Sequence, residues 1–415
     1  MGRTRAAHFF VIVIVMTRIL IFSLTYFPQP VGGAEIAIHE ITDRISPQDI
    51  EFDMVTLRLD RSLPKKERMG NVTVYRVGFT ALSPTSADLV SYPLKLNKFF
   101  FPLLATLKAI RLHKKHSYDG VWVIMAAFAG FGALFFSYLY PRVPYVLTLQ
   151  EGDPIPYIKH KVRFVYPLFR RIFLRASVIQ TISNYLARFA RSMEYRGPIE
   201  VVPNGVDVKY FSSPWREDEK LALSRALQKR EEDIYLITVS RLVRKNAIDD
   251  CISALTFLPS HVHLLIVGEG PDRDALTKLS EESGVRSRTH FLGHITHEHV
   301  PKYLHISDIF LRPSLSEGMG NAFVEAMAAG LPVIGTQEGG IADFLFDPNL
   351  NPDKLSTGRV VAPHDPHGIA EAVTRYLTDT ETTFSIIKNA RAMVAEKYDW
   401  RRIADEMKSR VFSKI

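Results

Sequence analysis

Short apolar runs alternate with helix-period stretches along nearly the whole chain, and this alternation limits the fold more than any other feature. Strand patterns fall near residues 18–24, 52–57, 72–77, 121–125, 144–149, 177–181 and 199–202, then near 234–240, 262–267, 289–292, 308–311 and 332–336. Helix patterns lie between them, near 34–44, 94–114, 131–140, 160–175 and 184–193, then 247–257, 272–282, 297–305, 321–329 and 367–378. Parallel strands need such crossover helices, so the expected fold class is α/β with parallel sheets covered on both faces. At 415 residues two domains of ordinary size are expected. Pro203 and Asn204-Gly205 are turn signals that set the boundary, giving one doubly wound, Rossmann-like domain over 16–205 and a second over 206–395. Two such domains face a cleft lined by the C-terminal ends of their strands, where ligands of α/β folds bind.

The chemistry concentrates in residues 316–327. Glu317 and Glu325 stand eight apart, with Gly318, Met319 and Gly320 following the first. Asn321 reads as an N-cap, the next eight residues are strong helix formers, and Gly330 and Pro332 end the helix. A glycine-lined helix start suits a phosphate, because free amides and the helix dipole point at it. Carboxylates on either side can accept hydroxyl hydrogen bonds from a sugar and a ribose, so the expected ligand is a nucleotide-sugar. After the strand near 234–240 come Ser240, Arg241, Leu242, Val243, Arg244, Lys245 and Asn246, a cationic loop placed to hold a diphosphate. Gly32 and Gly33 follow the first strand and let backbone approach a ligand at a helix start. A dinucleotide fingerprint would need G-x-G-x-x-G there with an acid about 20 residues on. That spacing is absent, which argues against an NAD enzyme.

The string from Pro313 through Glu317 and Glu325 to Val333 resembles the Glu-x7-Glu signature of the retaining glycosyltransferases of family 4, and the likeness runs from about Arg18 to the C-terminus. The resemblance implies the two-domain GT-B architecture, with a C-terminal helix over 396–415 crossing back to the first, acceptor-binding domain. It implies catalytic roles for Arg241, Lys245 and Glu317. An Arg and a Lys of the cationic loop stabilise the leaving diphosphate in the family; the lysine ordinarily stands where Asn246 stands here, so Lys245 or Arg244 substitutes. Donor binding falls to Gly32, Gly33, Gly318, Met319, Gly320, Asn321 and Glu325, with Glu325 on the ribose. Gly268, Gly270, Gly293 and His294 mark the nucleobase region, and Gly339-Gly340 a second loop near the nucleotide. A histidine often stands where Gln150 does, making Gln150, Glu151 and Asp153 candidate sugar or acceptor contacts. The implied reaction moves a sugar from a nucleotide-diphospho-sugar to a hydroxyl of a glycan or lipid-linked acceptor, with no metal and no cofactor. An epimerase or sugar phosphorylase on the same architecture, or a non-catalytic membrane-surface sugar-binding protein, are the alternatives.

Composition bears on location. The single cysteine, Cys251, excludes an internal disulfide and suits a reducing compartment. Net charge is +8, yet residues 95–175 carry 13 Lys+Arg against 3 Asp+Glu. That window also holds Phe99, Phe100, Phe101, Phe135, Phe136, Tyr138, Phe164, Tyr166, Phe169 and Phe173. Basic charge with exposed aromatics fits an anionic membrane surface, and a basic amphipathic helix interrupted at Pro102 is expected there. No nucleic-acid motif accompanies the charge, so no nucleic-acid partner is expected. The uncharged run 121–140 is long enough to span a bilayer but reads as a strand followed by a glycine-broken helix. Residues 1–15 read as an extension or a misassigned start. His294, His297, His299 and His305 match no common zinc spacing. The expected location is cytoplasmic, peripheral at the inner face of the cell membrane.

Overall fold

Two parallel sheets with helices on both faces form the computed structural model, which describes residues 16–28, 32–84 and 92–415. The expectation for residues 1–15 therefore lies outside the described residues. The first sheet contains β1 (Thr17–Phe22), β2 (Ile50–Leu57), β3 (Lys66–Met69), β4 (Val72–Val77), β5 (Gly120–Ile124), β6 (Tyr145–Leu149), β7 (Val178–Thr181) and β8 (Ile199–Val201), in the order β3-β4-β2-β1-β5-β6-β7-β8. Only the β3–β4 pair is antiparallel. The second contains β9 (Ile234–Val239), β10 (Val262–Val267), β11 (Thr289–Gly293), β12 (Ile309–Arg312), β13 (Val333–Gly335) and β14 (Arg359–Val360), in the order β11-β10-β9-β12-β13-β14. Central strands such as β1, with Ile19, Leu20, Ile21 and Phe22 fully buried, are continuous apolar runs because helices cover both faces.

Each sheet has a switch point where the winding reverses, between β1 and β5 and between β9 and β12. The loops after β9 and β12 are the cationic loop and the Glu317 loop, so the topology alone sets them side by side. The C-terminal segment returns to the first sheet. Trp400, Ile403, Met407 and Phe412 join its core, with the Phe412 ring 5.0 Å from Trp122 and 5.8 Å from Phe52. Val206 donates its amide to the Tyr398 carbonyl at 2.7 Å, so the two chain crossings between the sheets lie side by side.

Two expectations need correction, and the third, strand plus helix over 121–140, holds. The helix expected to be interrupted at Pro102 runs unbroken over Asn97–His116: the proline forfeits one rung of the ladder, offset by the burial of Phe101, Ala105, Ala109 and Leu112 on the same helix. The helix expected over 160–175 is instead two, Ile155–Lys161 and Tyr166–Leu174, the second opening around Pro167. The run 121–140 is β5 plus the helix Ala129–Leu139, and no helix among the described residues is long and apolar enough to cross a membrane.

Candidate active site between the two sheets

Glu317, Lys245 and the glycine-lined helix start meet the loop after β6 at the second sheet's switch point: Lys245 bonds the Gly152 carbonyl and Gly318 lies against that of Glu151. Glu317 and Glu325 are both buried. The helix Asn321–Ala329 begins as expected, but Gly320 is its N-cap, in the left-handed region at φ 94°, and no side chain caps it. Asn321 is the first helical residue. Its Oδ1 instead accepts from Asn204 Nδ2 at 3.3 Å, and that same amide donates to Gln150 Oε1 at 3.3 Å. Asn204 thus ties the end of β6 to the helix start.

Each glutamate has a basic partner that sequence reasoning missed. Glu317 pairs with Arg312, the last residue of β12. Glu325 Oε1 lies 2.9 Å from His297 Nε2. Burial pulls the His297 pKa down, yet the charge and hydrogen bond of Glu325 outweigh it and leave it raised. The four histidines do not gather. His305 bonds the Phe211 carbonyl, His294 and His299 line a cavity of about 510 Å³ beside Leu223 and Tyr303, and no metal-binding group of three ligands occurs among the described residues.

Lys245 reaches across the cleft, donating Nζ to the Gly152 carbonyl at 2.6 Å. Burial lowers its pKa; Glu317 acts to raise it and Arg312 to lower it. Asn246 is buried and donates Nδ2 to the Arg241 carbonyl at 2.6 Å, while Arg241 and Arg244 are exposed. Gly318 lies against the Glu151 carbonyl and Gly33 against the Asn321 amide. The Gly32 amide is already taken by Glu35 Oε2 at 2.8 Å, so it is not free for a phosphate. Met319 turns away from the glycine loop into a separate cavity of about 270 Å³ lined by Ile182, Pro203, Tyr398 and Arg402.

Glu151 is enclosed, its Oε1 accepting the Ala126 amide at 2.8 Å, while Asp153 is exposed. Gly268 and Gly270 press on the cationic loop: a Cβ on Gly268 would stand 1.9 Å from the Ser240 carbonyl, and one on Gly270 would stand 2.2 Å from that of Leu242. Both glycines thus have a packing reason independent of any nucleobase. The Gly293 carbonyl accepts from the Gly268 amide at 2.7 Å, and the Gly340 amide donates to the Glu317 carbonyl at 3.0 Å, so both brace the loops that carry the charges.

Two Rossmann-like domains with charged loops at the cleft between them define the GT-B architecture. Residues 31–210 match the model of Glycosyltransferase Family 4 and residues 219–393 that of Glycosyl transferases group 1. The chain belongs to glycosyltransferase family 4. It is 27% identical over 401 residues to an uncharacterised glycosyltransferase of Methanocaldococcus jannaschii, covering 94% of this chain and 96% of that protein. It is 28% identical over 251 residues to the GDP-mannose-dependent alpha-(1-6)-phosphatidylinositol monomannoside mannosyltransferase of Mycobacterium tuberculosis, covering 58% of this chain and 63% of that enzyme. Among solved structures, Anabaena HepE in complex with UDP-glucose superposes with a TM-score of 0.74 at 20% identity, covering 95% of this chain and 99% of that one.

Proposed function

We propose that the chain transfers a hexose, with retention of configuration, from a nucleotide-diphospho-sugar to a hydroxyl of a glycan or lipid-linked acceptor in cell-surface polysaccharide or glycolipid synthesis. The observation that carries this reading is buried Glu317 and the Lys245 ammonium beside a glycine-lined helix start, with Glu325 buried one turn into that helix. Glu325 binds the ribose, Glu317 the sugar hydroxyls, and the Gly318–Asn321 turn the phosphates or sugar. The bond from the anomeric carbon to the phosphate oxygen breaks as the acceptor oxygen bonds to that carbon from the same face. The departing phosphate takes the hydroxyl proton. Arg241 and Lys245 stabilise the charge that grows on the diphosphate, so the step needs no metal.

The GDP-mannose-dependent relative, whose name gives a phosphatidylinositol mannoside acceptor, supports both a nucleotide-sugar donor and a lipid-linked acceptor. The basic aromatic window supports docking at an anionic inner membrane surface. A thermal-shift panel of UDP, GDP and ADP with their common sugar conjugates, run with and without EDTA, tests the reading. One diphosphate family should raise the melting temperature in both conditions. No shift at millimolar ligand removes the donor reading, and a shift lost with EDTA removes the metal-free step.

A further inference from the structure

A buried carboxylate without a counter-ion is costly, and Glu317 is buried. Among the described residues its ion-pair partner is Arg312. Lys245 spends its ammonium on the Gly152 carbonyl, and Arg241 is exposed. The Arg312 guanidinium works in three directions. Nη2 donates to Glu317 Oε1 and to Asn246 Oδ1, the latter at 3.4 Å, and Nε donates to Ser314 Oγ at 3.2 Å. Asn246 passes the connection on through its bond to the Arg241 carbonyl. One continuous polar chain therefore joins the loop after β9 to the loop after β12, across the switch point.

The geometry points to Arg312 as the positioning residue of this site, resting on the diphosphate-sugar reading above. From the end of β12 it supplies the buried positive charge that the cationic loop lacks at its neutral residue 246. It pins the Oε1 of Glu317, leaving Oε2 on the cleft side, where it would lie 3.6 Å from a Cβ on Gly152. A planar guanidinium with several donors fixes an orientation that a single flexible ammonium would not. Residue 246 touches the same guanidinium, so a longer cationic side chain there reaches the same carboxylate. The charge is thus a property of the pair 246 and 312, and either position can carry it.

Three proteins test this: wild type, Arg312→Met, and Arg312→Met with Asn246→Lys. Arg312→Met should lower kcat on the order of 100-fold, the scale of losing one preorganised electrostatic group, with a smaller change in donor KM. Adding Asn246→Lys should recover at least about tenfold of kcat. Urea denaturation reads the same coupling without turnover: the single variant should be weakened and the double variant restored. A folded Arg312→Met with wild-type kcat overturns the proposal. So does a double variant no better than the single one in both turnover and stability. Calorimetric titration of wild type with UDP, GDP and ADP separates the two readings. If none binds, the donor reading falls and the denaturation series alone decides Arg312, with recovery by Asn246→Lys supporting its counter-ion role and no recovery overturning it.

Discussion

The Glu151 carboxyl is wedged between β6 and the loop after β5, with Oε1 on the Ala126 amide and Oε2 buried without a partner. Burial raises its pKa, while the backbone bonds from Ala126 and its own loop pull the other way. A carboxyl whose folded pKa exceeds the unfolded one binds more protons when folded. Its stabilising contribution is complete below the unfolded pKa and disappears as pH rises through the folded value. Glu151→Gln keeps an acceptor for Ala126 and removes the buried charge. It should therefore raise the melting temperature at pH 7 to 8, with the gain vanishing near pH 4; a gain that persists at pH 4 would mean the charge is not its source. The neighbouring Met125 and Phe128 sit at φ 66° and 37°, strain of the kind that collects at functional loops. No pattern in the sequence announces that strain. Glu317, Glu325 and Arg241 were legible because each lies within one strand–loop–helix unit, where spacing is informative. Arg312, His297 and Asn204 were not, because each finds its partner on another element and only the tertiary fold brings them together.

At the scale of elements, the helix Asn97–His116 carries an exposed apolar stripe. Phe99, Phe100, Leu103 and Leu107 are exposed at 60%, 44%, 55% and 47%, and basic Lys95, Arg111, Lys114 and Lys115 are also exposed. The aromatics of the basic window divide: Phe101, Phe136, Phe169 and Phe173 are core, and Phe99, Phe100, Tyr138 and Phe164 face out. Leu103→Glu with Leu107→Glu should cut binding to anionic phosphatidylglycerol vesicles at least tenfold, by lost apolar contact and added repulsion. The melting point should move little, since exposed positions carry little of the core. Equal sedimentation with vesicles would place any membrane face elsewhere. Strands with continuous apolar runs were readable to within a residue or two. β3 was not, because Lys66, Glu67 and Arg68 give an edge strand no apolar pattern. The helix Thr380–Lys397 escaped too, for it buries only Ile386, Ala390 and Val394. The interrupted helices at 155–174 show the limit of periodicity: the apolar repeat continues through a break at 162–165, and Pro167 sits in the first turn of the second helix, where its missing amide costs nothing.

For the whole molecule, the site exists only where the two sheets meet. Lys245 bonds Gly152, the Asn184 amide bonds Asp343 Oδ2 at 2.7 Å, and Asn204 holds Gln150 and Asn321 together. The chain crosses between the domains at residues 202–207 and again near Tyr398, and these crossings pack where Gly205 meets Trp400. With the chain held at this pair of crossings, the first domain's Glu151 loop lies on the glycine start of the second domain's helix. Gly318 marks the tightest approach, since a Cβ there would stand 2.7 Å from the Glu151 carbonyl oxygen. The atom it would meet is backbone, so it cannot swing aside as a side chain would. Gly318→Ala should hold the domains apart without unfolding either one. Small-angle scattering should then give a larger radius of gyration than wild type, with less contraction on adding donor. Turnover should fall on the order of 100-fold, the cost of displacing reacting groups by about an ångström. Diphosphate affinity should fall less, because Glu325 and the cationic loop both belong to the second domain. Unchanged scattering together with unchanged turnover would mean that the working enzyme never brings the two backbones this close, and that Lys245 acts without its bond across the cleft.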